Sequence, residues 1–294
     1  MASRFPLRRS DSLSVNRKSP GSLSKAWRWN GRSIVRCGGG VSLTDRGFRY
    51  GQHLFESIAI RNGQTLLWTR HLELLSESAK RNRLPFPRRI VSALKHFVKS
   101  ISLPDGMLRI FLTAGDGGPC SPVNSPECYL LWEPAFFPVE SDIIRGYQVT
   151  TDTEPFFGDV WGEKSGNYAS HLKRFGAARI KGFDEGIIFD AKGYLLSCCM
   201  GNLIVWMKRG GEVLPFIPPE SRGARSGAVL DWVRKKIIVT ECDLRLSDIR
   251  RAVALAVTNS RLGVMPVSML DGVVLRDHSQ SQQLAFSYMK YHGL

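Results

Sequence analysis

Apolar and polar positions follow two rhythms along this chain, and these separate strands from helices. Period-two alternation and short unbroken apolar runs predict strands at "RWNGRSI" (28–34), "LFESIAIRNGQTLLW" (54–68), "GMLRIFLTAG" (106–115) and "ECYLLWEPAFF" (127–137). The second is a hairpin turning at Asn62–Gly63, residues that tolerate the left-handed backbone of a two-residue turn. Leu72, Leu75 and Ala79 recur at helical spacing in "RHLELLSESAKRNRL", and "PRRIVSALKHFVKSI" opens a further helix on proline. The Gly/Pro/Ser-rich "GDGGPCSPVNSP" (115–126) reads as a loop between two strands. Residues 29–137 are thus expected to form a small α+β unit.

A polar, proline-bearing stretch at 138–146 is the expected linker, and 147–294 the larger unit. That unit begins with a strand at "GYQVTTDTE", then a helix over 167–181 with an apolar side of Leu172, Phe175, Ala178 and Ile180. Two hairpins follow, "EGIIFDAKGYLLSCCM" and "NLIVWMKRGGEVLPFI", both turning on glycine. Next come a helix near 226–236, a strand "IVTECDL", a short helix capped by Ser247, a strand "VALAVTNS" and a terminal helix from about 276. The fold class this predicts is α/β in the broad sense, a two-domain α+β chain.

Charge changes the picture at one end only. The formal net charge is +15, and residues 1–33 hold Arg4, Arg8, Arg9, Arg17, Lys18, Lys25, Arg28 and Arg32 against the single acid Asp11. The remainder shows no clustering of basic with aromatic residues, so no nucleic-acid partner is expected. Serine-rich and without apolar periodicity, residues 1–28 are expected to be a disordered basic tail. They lack the apolar core of a secretory signal; they read as a dispensable tail or as an organellar transit peptide. The protein is accordingly expected in the cytoplasm, or in an organelle on the second reading. No apolar run reaches the roughly 18 residues of a membrane-spanning helix, so no membrane partner is expected. Six cysteines form no C-x-x-C pair and no metal spacing with the six histidines. They read as reduced core thiols, with adjacent Cys198 and Cys199 on opposite faces of a strand.

The scattered histidines offer no metal site, and neither a G-x-S-x-G elbow nor a G-x-G-x-x-G or P-loop occurs. A lysine nucleophile remains. Lys164, in "EKSGNYASHLKRFGAARIKGFDEGIIFD" (163–190), stands just ahead of a predicted helix. By itself such a lysine is usually a surface charge. Schiff-base chemistry with pyridoxal phosphate needs a lysine, backbone amides or a helix start for the phosphate, and a group at the ring nitrogen. "SRGARSG" (221–227), a glycine turn into a helix with an arginine beside it, suits the second need.

Four segments, in order, resemble class IV pyridoxal-phosphate enzymes: branched-chain and D-amino-acid aminotransferases and aminodeoxychorismate lyase. They are "SLTDRGFRYGQHLFESIAIRNGQTLLWTRHLELL", with Asp45-Arg46-Gly47, Tyr50-Gly51 and Phe55-Glu56; "KSGNYASHL…GFDEGIIFD"; "KGYLLSCCMGNLIVW"; and "VTNSRLGVMPV". The resemblance spans residue 29 to the end. It implies the fold-type IV architecture of D-amino-acid aminotransferases, with the cofactor between two domains. It also implies a homodimer, pyridoxal 5'-phosphate as cofactor and an amino-acid-like substrate. Lys164 would be the Schiff-base lysine and proton carrier, and Tyr168 would lie near the cofactor's phenolic oxygen. Ala224 and Arg225 would fall on the phosphate turn, Asn259 and Ser260 on the second phosphate contact, and Asn202 after the ring-nitrogen position.

Two family residues are replaced. Leu74 stands where the H-x-x-R-L arginine contacts phosphate, and Ser197 where a glutamate protonates the ring nitrogen. The loop 113–122 also lacks the R-G-Y of the lyases. Two readings follow. Either the protein is a decayed homologue, or the site is rebuilt, with Arg225 supplying the phosphate cation and Ser197 facing a neutral ring nitrogen. A neutral pyridine is the weaker electron sink and favours elimination over transamination. Transaminase and lyase both stay open.

Overall fold

The protein is described here from a computed structural model covering residues 24–38, 40–157, 162–275 and 277–294. Most of the expected tail, residues 1–23, lies outside the described residues. Residues 25–28 do not belong to a tail: β1 (Lys25–Trp29) pairs with β2 (Ile34–Cys37) and, on its other side, with β6 (Glu127–Glu133). Trp27 and Trp29 bury there, so the segment gains enough apolar area to order despite its charges.

The first sheet runs β2-β1-β6-β5-β3-β4, with β3 (His53–Arg61), β4 (Gln64–Thr65) and β5 (Gly106–Thr113). Asn62 and Gly63 both take positive φ, the left-handed turn their residue types allow. Helix α1 (Arg46–Tyr50) precedes β3; α2 (Trp68–Arg81) and α3 (Arg88–Ser100) follow β4. Alternation decides the faces. Leu54, Ile58 and Ile60 turn towards Leu72 and Leu75 of α2 and Ile90 and Leu94 of α3. Each such fully buried side chain is worth roughly 1.5–3 kcal/mol. Phe55 and Ser57, on the alternate positions, face a cleft instead.

The expected linker is not a plain connection. It carries α4 (Glu140–Arg145), whose start is fixed by the Asp142 carboxylate accepting from Val139 N at 3.1 Å and whose Ile143 is buried. The second sheet runs β12-β11-β10-β13-β14-β7-β8-β9, with β15 (Val273–Val274) on β14. Its strands are β7 (Tyr147–Asp152), β8 (Glu185–Phe189), β9 (Leu195–Cys198), β10 (Asn202–Arg209), β11 (Glu212–Ile217), β12 (Thr240–Glu241), β13 (Ala254–Asn259) and β14 (Gly263–Leu270). β7 is parallel to both its neighbours, β14 and β8. Helices α6 (Ala228–Lys236) and α8 (Ser279–His292) bury Val229, Val233, Leu284 and Tyr288 against the sheet.

Three expectations are corrected. In α5 (Ala169–Ile180) Leu172 and Ile180 are exposed, and the helix packs along His171 and Ala178, with Phe175 half-buried between them. It lies chiefly over β7 and β8 near the end of the sheet, so its buried stripe is narrow. In α7 (Leu246–Arg250) the cap is not Ser247, which lies inside the helix; Asp248 accepts from Arg245 N at 2.9 Å. Of the six free cysteines only Cys128, Cys198 and Cys199 are core thiols; Cys120 is exposed, and Cys37 and Cys242 are half-buried. Cys198, the last residue of β9, and Cys199, just beyond it, do bury in different clusters. No described helix is long and apolar enough to cross a membrane.

Candidate active site

Lys164 lies between β7 and α5, in a segment stitched onto the first sheet. Phe55 N donates to the Lys164 carbonyl at 2.8 Å and Gly166 N to that of His53 at 3.0 Å. Only glycine fits at 166, because a Cβ there would stand 2.3 Å from the Gly51 carbonyl oxygen. The stitch brings the lysine side chain to the wall of a cleft of about 610 Å³ between the two sheets. The Lys164 side chain is only 18% exposed, and Nζ donates to Glu56 Oε2 at 2.9 Å.

Glu56 is buried on β3, and the same Oε2 accepts from His71 Nδ1 of α2 at 2.7 Å. Burial pushes its carboxyl up, but the Lys164 charge and the His71 hydrogen bond outweigh that and hold it at about 2. Burial keeps His71 below its ordinary value and therefore neutral, so with Nδ1 donating, Nε2 is free to accept. That nitrogen meets Ser260 Oγ at 3.4 Å, on the turn between β13 and β14. Asn259 shapes this turn: its Oδ1 accepts from Arg261 N at 3.1 Å and Leu262 N at 2.8 Å. Lys164, Ser260 and Asn259 therefore meet in one cleft, as their positions in the motifs predict.

Arg225 enters the cleft from the turn before α6. Gly223, with φ 90°, lets the chain reverse there. Arg222 pairs with Asp243, and Arg222 and Arg245 both lie 3.9 Å from the Tyr194 ring centroid, which fixes the turn from outside. Arg225 is 6% exposed, and its Nη1 donates to Tyr168 Oη at 2.9 Å. Nη2 lies 2.9 Å from His171 Nε2. Burial first, then the Arg225 charge, push His171 down to about 3, so this imidazole stays neutral. Among the described residues Arg225 has no carboxylate partner, and its buried Nε has no hydrogen-bond partner. Tyr168 stacks on His171 and meets Phe55 edge-on.

The other expected residues are placed differently. Ala224 is buried beneath the turn, and Asn202 Nδ2 donates to the Arg225 carbonyl; both brace the turn from behind and line no cleft wall. Ser197 lines a second cavity, of about 410 Å³, which shares Ser165 and Arg225 with the first. Its hydroxyl donates to the Cys198 carbonyl at 2.8 Å. Leu74 is buried on α2 but, unlike Leu72, Leu75 and Ala79, is not part of the first core.

Sequence reasoning assigned no role to Glu56, His71, His171 or Glu185. Glu56 was visible in the Phe55-Glu56 pair, but its partners lie 15 and 108 residues away. Glu185 is a buried carboxylate on the cleft wall, accepting from Gly186 N and Met200 N. Burial lifts it to about 7 against those amides and Arg225.

A primary amine against a buried carboxylate, an unpaired buried guanidinium and a turn of serine and asparagine, all around one interdomain cleft, suit imine chemistry on an anionic ligand. The comparisons agree. A putative branched-chain-amino-acid aminotransferase of Methanocaldococcus jannaschii is 26% identical over 257 residues, covering 84% of this chain and 88% of that protein. Among solved structures, 4-amino-4-deoxychorismate lyase from Pseudomonas aeruginosa superposes with a TM-score of 0.75 at 22% identity, covering 90% of this chain and 98% of its own. The PLP-bound form of a hypothetical aminotransferase from Mycobacterium tuberculosis gives 0.71 at 20% identity, covering 91% and 99%. These likenesses establish the fold-type IV architecture. The profile that matches residues 53–270 is "Amino-transferase class IV", a pyridoxal-phosphate family, and the chain belongs to it.

Proposed function

We propose that the protein is a pyridoxal-phosphate enzyme acting on an amino acid or amino-bearing small acid, of the aminotransferase or aminodeoxychorismate-lyase type, with Lys164 bonding the cofactor. The observation that carries this reading is the position of Nζ: partly buried, at the wall of a cleft of about 610 Å³ that also holds Arg225.

Pyridoxal phosphate asks for an amine, an anion site and a ring-nitrogen partner. The first two are met by Lys164 and by Arg225, whose buried, unpartnered Nε marks a cation without its anion. Ser260 adds a hydroxyl. At the third, Ser197 offers only a hydroxyl already donating to Cys198 O, so the ring nitrogen would stay neutral. When bound, the cofactor supplies an electron sink for bonds at the amino-bearing carbon. Glu56 holds the lysine amine at the cleft wall, and His71 keeps Glu56 partnered when that amine moves. Tyr168 is oriented by Arg225 and His171, and its hydroxyl stays in the cleft. Phe55, Phe111 and Phe175 give the cleft an apolar lining. We read the assembly as a homodimer, on the family resemblance and on the exposed apolar side chains of Val41, Leu43 and Phe48.

A second reading, a scaffold that has lost its cofactor, is favoured by the buried Leu74 and the committed Ser197 hydroxyl. Titration with pyridoxal phosphate followed by borohydride reduction and peptide mass analysis separates the two. The enzyme reading expects a reduced cofactor adduct on Lys164 that Lys164→Ala abolishes. An unmodified wild-type Lys164 would leave only the scaffold.

A further inference from the structure

Four cationic side chains line the Lys164 cleft, and two of them have carboxylate partners: Lys164 pairs with Glu56 and Arg109 with Glu133. Among the described residues Arg225 and Arg261 have none. They mark different ends. Arg225 lines the cleft and the second cavity beside Ser197; Arg261 lines the cleft and a smaller cavity of about 240 Å³. The carboxylates near Arg261 are occupied. Asp184 pairs with Arg179 at 3.0 Å and accepts from Gln148 N, and Glu185 accepts from backbone amides.

Arg261 is held ready rather than loose. Its backbone N–H is fixed by Asn259 Oδ1, and among the described residues its exposed guanidinium donates to two neutral acceptors, the Phe136 carbonyl at 3.3 Å and Tyr147 Oη at 3.2 Å. A guanidinium so placed still has N–H groups for a planar anion. The same cleft carries apolar wall from Phe55, Met107, Phe111, Leu172 and Phe175, interrupted by Arg109 in its pair with Glu133. A volume of about 610 Å³ falls within the range of small-molecule sites.

We propose that Arg261 is the carboxylate anchor of this cleft, and that the substrate is a carboxylic acid with an apolar or aromatic body covered by that wall. The proposal rests on the enzyme reading above: Arg225 is left to the phosphate, and Arg261 to the acid. A short dicarboxylate would leave the apolar wall wet, and an uncharged aromatic would leave Arg261 without an anion.

Calorimetry on the cofactor-free protein with 3-phenylpropionate, 3-phenylpropanol and succinate tests this. The acid is expected to bind at least about tenfold more tightly than the alcohol, as loss of one charge-assisted contact implies. Succinate is expected to bind more weakly than phenylpropionate. Arg261→Leu should erase the preference for acid over alcohol while leaving the alcohol's affinity in place. Equal binding of acid and alcohol to wild type, a preference that survives Arg261→Leu, or succinate as the best ligand would each overturn the proposal. The Lys164 adduct, measured in parallel, keeps the two readings apart. An Arg261-dependent acid preference in a protein that forms no adduct upholds the anchor and sinks the enzyme reading; an adduct without the preference does the reverse.

Discussion

Replacing Glu56 by glutamine removes one charge from a buried chain of contacts while keeping the side chain's shape and one acceptor oxygen. The carboxyl is held at about 2 against an ordinary 4.5, and 1.36 kcal/mol per pH unit makes the folded protein's preference for the anion roughly 3 kcal/mol. The folded state keeps Glu56 ionised to lower pH than the unfolded chain does. Its stabilisation is therefore whole above about pH 4.5 and is lost as pH falls towards 2. Glu56→Gln should cost roughly 3 kcal/mol at pH 7, partly because it leaves the Lys164 ammonium, 18% exposed, without its counter-charge. The deficit against wild type should shrink steadily below pH 4.5. Urea unfolding followed by circular dichroism at pH 7, 4.5 and 3 measures it. A deficit below about 0.5 kcal/mol at pH 7, or one equally large at pH 3, would show that the ion pair does not carry the energy assigned to it.

Two further outcomes are expected. Arg225→Ala should weaken pyridoxal-phosphate affinity at least about tenfold, or 1.4 kcal/mol, in a spectroscopic titration; unchanged affinity would remove Arg225 from the phosphate site. Glu185, lifted to about 7 chiefly by burial, acts with the opposite sign to Glu56: the folded state holds its proton to higher pH, so stability is lost as pH rises from 4.5 through 7. Glu185→Gln should flatten that part of the stability profile, and an unchanged slope in denaturant unfolding would count against a buried neutral carboxyl.

Much of the architecture was readable from the pattern of side chains. The hairpin at Asn62–Gly63, helix α2 with its Leu72, Leu75 and Ala79 stripe, and the paired strands β8–β9 and β10–β11 follow from periodicity and turn chemistry. The errors fall where the surroundings outweigh local preference. Lys25–Arg28 looked like part of a charged tail because one of its two strand partners, β6, lies about a hundred residues on. Leu172 looked like core because spacing alone cannot tell a wall of protein from a wall of cleft. Ser247 looked like a cap because its residue type suits the role, but it lies inside the helix, and the start is held by Asp248 accepting from Arg245 N.

The candidate site divides in the same way. Motif order pointed to Lys164, Arg225, Asn259 and Ser260, and they gather around one cleft, whereas Ala224 and Asn202 brace the turn before α6 from behind. Neither the Glu56–His71 contact nor the lack of a carboxylate partner for Arg225 and Arg261 among the described residues has any signature in the sequence.

The chain's own order of residues determined which segments become strand or helix and which amine precedes α5, because those preferences act over a few neighbouring residues. Which carboxylate meets that amine, and which arginines meet none among the described residues, were decided only in the folded protein. Charge pairing depends on distance and burial in space, and Glu56 and Lys164 are separated by 108 positions along the backbone.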